Sequence, residues 1–282
     1  MSTATPQTTP RKSPAVLFPE LTHTRKESSL VALPRQSLLM AKRSLLIWSR
    51  DPLTMVQAVA YPAIMLLMLR LVMGDTIERF SGQPAVFRFA PLMALVAAMV
   101  GALAGVVLVI QEREKGILGR YWTLPIHRAA DLIGRLLAES VRIVFTTLLI
   151  ILVALPLGLT FTSVSSFFAF VAIPLMFGIG FATLATAAAL ATTSQALVSA
   201  LSLFIMFGMF FSSGFTDPQA FPAWARPFVE NQPITHAVDT MRALATGGDV
   251  ATPLMMSALW SVGFVVVFAV PAIWGYRRSA SS

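Results

Sequence analysis

After about residue 34 the chain alternates long apolar runs with short polar or basic breaks, and six of the runs approach the ~20 residues needed to cross a bilayer as a helix. They fall at about 53–73, 89–111, 136–160, 166–191, 197–215 and 251–275. Between Ile143 and Thr216 there is no Asp, Glu, Lys or Arg. A soluble helix needs a polar face, so the three runs in this stretch are predicted to lie in lipid. Their breaks are uncharged: Thr160 to Ser166 reads TFTSVSS and Thr192 to Gln195 reads TTSQ. The fold class expected is an all-α polytopic membrane protein with six transmembrane helices, its transmembrane domain spanning about 51–278 and a short tail at 279–282.

Two segments precede the first span. Residues 1–34 are polar and interrupted by Pro6, Pro10, Pro14, Pro19 and Pro34, with too few apolar residues to offset the entropy of ordering them, so a disordered tail is predicted. Its basic residues Arg11, Lys12, Arg25 and Lys26 are not followed by a short apolar core and a small-residue cleavage site; retention of the N-terminus is expected. From Arg35 to Arg50 the sequence RQSLLMAKRSLLIWSR places Lys42, Arg43 and Arg50 among leucines and Trp48. This is too charged to span and fits an amphipathic helix in the headgroup layer, its basic stems reaching toward anionic lipid. The alternative is a helix that simply extends the first span.

Composition supports lipid as the solvent. The chain is 56% hydrophobic and 12% charged, with a mean hydropathy of +0.75, whereas charged residues make up about a quarter of soluble domains. Absence of cysteine excludes disulfides, thiolate metal sites and a catalytic thiol. The net charge of +8 resides in the tails and loops, which suits membrane orientation better than nucleic acid. Basic residues crowd the tails and the loop between the second and third spans, at Arg113, Lys115, Arg120, Arg128 and Arg135. The alternate loops hold Arg79, Arg88, Arg226 and Arg242 against six acids, among them Asp75, Glu78, Asp217 and Asp239. The positive-inside bias then puts both termini in the cytoplasm.

Isolated polar groups offer little catalytic chemistry. Arg70 is a lone charge in the first apolar run, expected to snorkel at its outer end, and Glu139 and Arg142 are expected to pair at the cytoplasmic start of the third. His23, His127 and His236 fall on separate segments. Gly101, Gly105, Gly178 and Gly180 read as close-packing faces. No nucleophile and base share one depth, which argues against an intramembrane enzyme. The loop QEREKGILGRYWTLPIHRAADLIGR, Gln111 to Arg135, is the most informative segment. Gly116 and Gly119 loosen the helix and Pro125 ends it; charges of both signs beside Ile117, Leu118, Tyr121 and Trp122 suit either docking into a partner's groove or a solvated turn with an interfacial Trp. Beyond the fifth run, Pro218, Pro222, Pro227 and Pro233 forbid a continuous helix, so short helices dipping into the outer leaflet are expected. In THAVDTMRALATGG a short amphipathic helix is predicted with Thr235 at or near its N-cap and Gly247 or Gly248 at its end, Asp239 and Arg242 pairing on its surface.

The run EREKGILGRYWTLPIHR, together with SSGFTDPQAFPAWARPFVENQPITHAVDTMRAL and the Arg50-Asp51-Pro52 triplet, resembles the ABC-2 type transporter permeases of the daunorubicin-resistance type, and within it the C-subunit permeases of complex-lipid and drug export. The likeness covers about residues 35–278. It implies a permease subunit of an ATP-driven exporter of the plasma membrane, associating with two ABC ATPase subunits, with a homologous or identical second permease and with membrane lipids, but not with nucleic acid. ATP and magnesium would sit on the partner ATPases, since this chain contains no G-x-x-x-x-G-K-[ST] loop to hold phosphate. Transferred by position, Glu112, Arg113, Glu114, Lys115, Gly116, Leu118, Arg120 and Pro125 form the ATPase-coupling segment, and Lys42, Arg43, Trp48 and Arg50 belong to the interfacial connecting helix. Outer-gate candidates are Phe221, Trp224, Asn231, Pro233, Asp239 and Arg242, with an interfacial cap as the alternative. Phe204, Met206, Met209 and Phe210 are candidates for an adaptable apolar route. The family often has Asn-Pro where this chain has Asn231-Gln232-Pro233. A competing class, the ion- or proton-coupled efflux transporter, would place ionisable groups near the midplane.

Overall fold

A computed structural model describes residues 32–116, 129–192 and 195–278. Most of the expected tail, residues 1–31, and the coupling candidates Leu118, Arg120 and Pro125 lie outside the described residues, as do residues 279–282. Nine α-helices are assigned among the described residues: α1 Leu33–Ser49, α2 Pro52–Ser81, α3 Val86–Glu114, α4 Ala130–Ala154, α5 Val164–Ala191, α6 Gln195–Phe210, α7 Arg226–Asn231, α8 Pro233–Thr246 and α9 Ala251–Arg278.

Five of these are long and apolar enough to cross a membrane: α2, α3, α4 with its terminal 3₁₀ turn, α5 and α9. The run expected at 197–215 differs. Helix α6 has 16 residues, about 24 Å at 1.5 Å per residue, short of a hydrocarbon core of about 30 Å. It stops at Phe210 because the chain turns at Ser212–Gly214, where Ser212 Oγ donates to the Met209 carbonyl at 2.7 Å and Ser213 is fastened to α8. The first span is longer than expected: α2 runs to Ser81, which places Arg70 inside a helix where it pairs with Glu78 at 3.0 Å and Asp75 at 3.7 Å. The third begins earlier, at Ala130, with the consequence for Glu139 described below.

Helix α3 is the axis of the bundle. Nearly every residue from Val86 to Ala98 is buried, and α2, α4, α5, α6 and α8 all pack on it. Helices α5 and α9 make the most extensive pairing, since Gly180 lets the α9 backbone approach: a Cβ there would lie 2.9 Å from the Ser261 carbonyl oxygen. Pro62, Pro91, Pro174 and Pro271 lie inside helices, as neighbouring helices permit in membrane bundles. Outward faces of α2, α4 and α9 carry exposed Leu, Val, Ile and Met, the surface expected against lipid tails. Chain direction alternates, so α1, the C-terminal ends of α3 and α5 and the N-terminal end of α4 gather at one end, here called the basic end. The α2–α3 connection, α7 and α8 form the opposite end.

Candidate functional site at the basic end

Helix α1 lies on α4 with its small residues inward. Ser37 and Ala41 are buried, while Leu38, Leu39, Lys42, Leu46 and Arg50 are exposed. Contact is at the backbone: a Cβ at Gly134 of α4 would fall 2.8 Å from the Ser37 carbonyl oxygen and 3.0 Å from the Ala41 nitrogen. Gly134 carries little signal in the sequence, one small residue between Ile133 and Arg135. Trp48, near the C-terminal end of α1, meets Phe145 of α4 edge to face at 6.0 Å.

Above this contact the coupling candidates divide into two sets. Glu112 is 3% exposed. Its carboxylate accepts from Arg43 of α1 at 2.7 Å and from Arg135 of α4, and Arg135 also donates to Asp131 at 2.9 Å. Arg113 donates at 3.0 Å to the Leu190 carbonyl, an acceptor left open in the last turn of α5. Glu112 and Arg113 therefore join helices within the chain, whereas Glu114, Lys115 and Gly116 are exposed. Gly116 has φ +67°, a left-handed conformation that frees the chain from α3 at low steric cost.

Glu139 and Arg142 meet as expected, on a helix that starts six residues upstream of the expected span. Because α4 begins at Ala130, Glu139 lies nine residues in, about 14 Å along the axis. The two pair with each other, and Arg142 also donates to the Gly101 carbonyl of α3. A Cβ at Gly101 would sit 2.9 Å from Glu139 Oε1, so glycine there admits a charged pair onto the α3 backbone. Beside it opens a partly enclosed cavity of about 450 Å³ bounded by α1 to α6. The route candidates face elsewhere: Phe204, Met206 and Phe210 are 46%, 48% and 42% exposed, and Met209 is buried. Phe204 stacks on Phe181 of α5 at 6.1 Å, and Phe210 meets Phe215 at 4.7 Å.

At the opposite end, α8 begins at Pro233 with Gln232 as N-cap, three residues before Thr235. Proline fixes the backbone angle that the first helical position requires. Thr235 Oγ1 accepts from the Ser213 backbone N–H at 3.2 Å and from Gln232 Nε2 at 3.3 Å. Gln232, the residue inserted between Asn231 and Pro233, is buried and also donates to the Phe211 carbonyl. It ties α8 to the end of α6, while Asn231 bonds only locally, to the Pro227 carbonyl. Gly247 ends the helix at φ +81°, its N–H donating to the Ala243 carbonyl at 2.8 Å. Asp239 accepts from Ser213 Oγ at 2.8 Å and pairs with Arg242 at 3.0 Å, so this pair is part of a packed junction. Arg88 bridges to Asp217 at 3.0 Å. The Asp217 carboxyl is held below its usual 3.8 first by the Gln219 N–H and then by Arg88. Burial pushes His236 below 6.5, against the opposing pull of Asp239. Trp224 is 80% exposed, and Phe221 stacks on Phe211 at 5.8 Å.

Comparison with known proteins identifies the bundle. The family model of the ABC-2 type transporter matches residues 35–245. A "probable doxorubicin resistance ABC transporter permease protein", DrrC, of two Mycobacterium tuberculosis strains is 34% identical over 247 residues, covering 87% of this chain and 90% of the relative. The daunorubicin resistance ABC transporter permease protein DrrB1 of Streptomyces coeruleorubidus is 26% identical over 244 residues, 84% of either chain. A helical bundle with a basic amphipathic first helix, matched to this family over most of its length, belongs to the ABC-2 type transporter family and is a membrane-spanning permease.

Proposed function

We propose that this permease is driven by two separate ABC ATPase subunits, which hold ATP and magnesium, and works beside a homologous or identical second permease in the plasma membrane. Both termini and the basic end face the cytoplasm. The cargo is hydrophobic or amphipathic, a complex lipid or a drug such as an anthracycline, in keeping with the resistance named for the relatives. One observation carries the coupling reading: Glu112 is locked to α1 and α4 at the point where the chain leaves α3. A push on the exposed turn at Glu114 to Gly116 would thus reach three helices as one body, and nucleotide state would bias the bundle through contacts that differ between its conformations.

The test is co-purification in mild detergent with the ATPase. Wild type should retain it, and the Glu114→Lys/Lys115→Glu double variant should release it or leave ATP hydrolysis uncoupled from export, with thermal stability unchanged because both residues are exposed. Uphill transport by the purified permease without any ATPase would overturn the reading in favour of an ion-coupled transporter.

A further inference from the structure

Helix α1 presents a face that neither the bundle nor the exposed turn at Glu114 to Gly116 uses. From Leu33 to Arg50 the chain carries four cations and no acid, and the structure divides the four as the sequence does not. Arg43 turns toward the bundle and is held by Glu112 at 2.7 Å. Its neighbour Lys42, with Arg35 and Arg50, is exposed and makes no ion pair among the described residues. By helical geometry these three fall within about 80° of one another on one side of α1 and span about 22 Å of its length. Between them stand Leu38, Leu39 and Leu46, all exposed as well. Water is a poor solvent for the leucines and hydrocarbon for the cations. The two together match the boundary between headgroups and acyl chains, where basic stems reach phosphate while leucines enter the hydrocarbon. The spans differ: the exposed positions from Leu137 to Leu152 on α4 and from Leu254 to Val270 on α9 carry no charge. The α1 face also borders the apolar row of α4, for Trp48 meets Phe145, a member of that exposed row.

We infer that the outer face of α1 is a selective binding surface for anionic phospholipid headgroups. Arg35, Lys42 and Arg50 take the phosphates, and Leu38, Leu39 and Leu46 seat among the upper acyl chains. A headgroup of net negative charge is preferred over a zwitterionic one, because no acid on this helix is there to receive a choline or ethanolamine cation, and each basic residue near an anionic surface adds attraction that a neutral surface lacks. The inner face of the same helix rests on α4 at Gly134, so lipid bound outside favours the docked position of α1 and adds to the stability of the folded bundle.

The chain lacks cysteine, so a single Ser49→Cys on the exposed flank of α1 can carry a bimane label on the full chain. The labelled permease, without any ATPase, is placed in phosphatidylcholine nanodiscs containing doxyl-labelled phosphatidylglycerol or, at the same mole fraction, doxyl-labelled phosphatidylcholine. The anionic lipid should quench the label at a mole fraction at least about tenfold lower than the zwitterionic one, since each cation contributes about fivefold. Adding Arg35→Gln/Lys42→Gln/Arg50→Gln should make the two lipids equal. The Tm of this triple variant in phosphatidylcholine should match that of the unsubstituted helix, because no ion pair is broken, while phosphatidylglycerol should raise the Tm only where the three cations are present. Salt at 1 M, with a screening length of about 3 Å, should reduce the preference without any substitution in α1. Equal quenching by the two lipids before the cations are removed overturns the assignment. So does a preference that survives both the triple variant and high salt, or the same preference at a Leu259→Cys label on the exposed face of α9. Quenching by aqueous iodide in place of either lipid would overturn it in favour of a face that meets water and a soluble acidic partner.

Discussion

The two ends of the bundle are both held by polar contacts, but they are built differently. At the basic end a single buried carboxylate, Glu112, gathers two arginines from two other helices. At the opposite end the ties are distributed over separate contacts: Gln232 to Phe211, Thr235 to Ser213, Ser213 to Asp239, and the partly exposed Asp239–Arg242 and Arg88–Asp217 ion pairs. Removing one member of a concentrated ion cluster strands the others, whereas a distributed set loses one bond at a time.

The sharpest way to break this contrast is Glu112→Ala. It leaves Arg43 and Arg135 without their shared acceptor and should cost about 3–5 kcal/mol, read as a large drop in the thermal unfolding temperature in detergent. A Tm equal to wild type would show that the ends are alike. Next comes Gly134→Ala, whose methyl group would press on the backbone of α1; overpacking of this kind costs about 1–3 kcal/mol, and cross-linking between α1 and α4 should report the displacement. Gln232→Ala should remove about 1–2 kcal/mol and raise amide exchange in α8 while leaving ATPase co-purification intact; loss of the ATPase would mean that the ends are not separable. The smallest effect expected is that of mild acid. Because burial holds His236 below 6.5, its contribution to stability is complete above that pH and is lost as pH falls through the lowered value. Asp217, also depressed, keeps its bridge until pH falls below its usual 3.8. A lower protection factor for α8 amides at pH 5 than at pH 7, after correction for the intrinsic exchange rate and abolished by His236→Gln, is the expected signature.

Much of this architecture was readable from periodicity. The helix at Leu33–Ser49, five of the six apolar runs as membrane-length helices and the short helices after the proline-rich stretch follow from where charges and prolines stop and start. The short α6 did not, because an apolar run does not reveal that Ser212 and Ser213 will turn the chain. Nor did the division of the coupling segment: Glu112 and Glu114 are chemically identical in the sequence, and only the facing positions of Arg43 and Arg135 bury one and expose the other. Gln232 stands out in the sequence as an insertion between Asn231 and Pro233, but nothing there marks it as the residue that ties α8 to the end of α6. The cavity beside Glu139 and Arg142 was not legible, because an i, i+3 pair on one helix does not reveal the space that α1 to α6 leave around it.

The crossing of α1 and α4 at Gly134 deserves a mechanical reading. Where main chain rests on main chain, no flexible side-chain layer can absorb a displacement. Helix α1 therefore has a hard fulcrum at Gly134: a tilt imposed on its exposed leucine flank would be delivered to α4 with almost no slack.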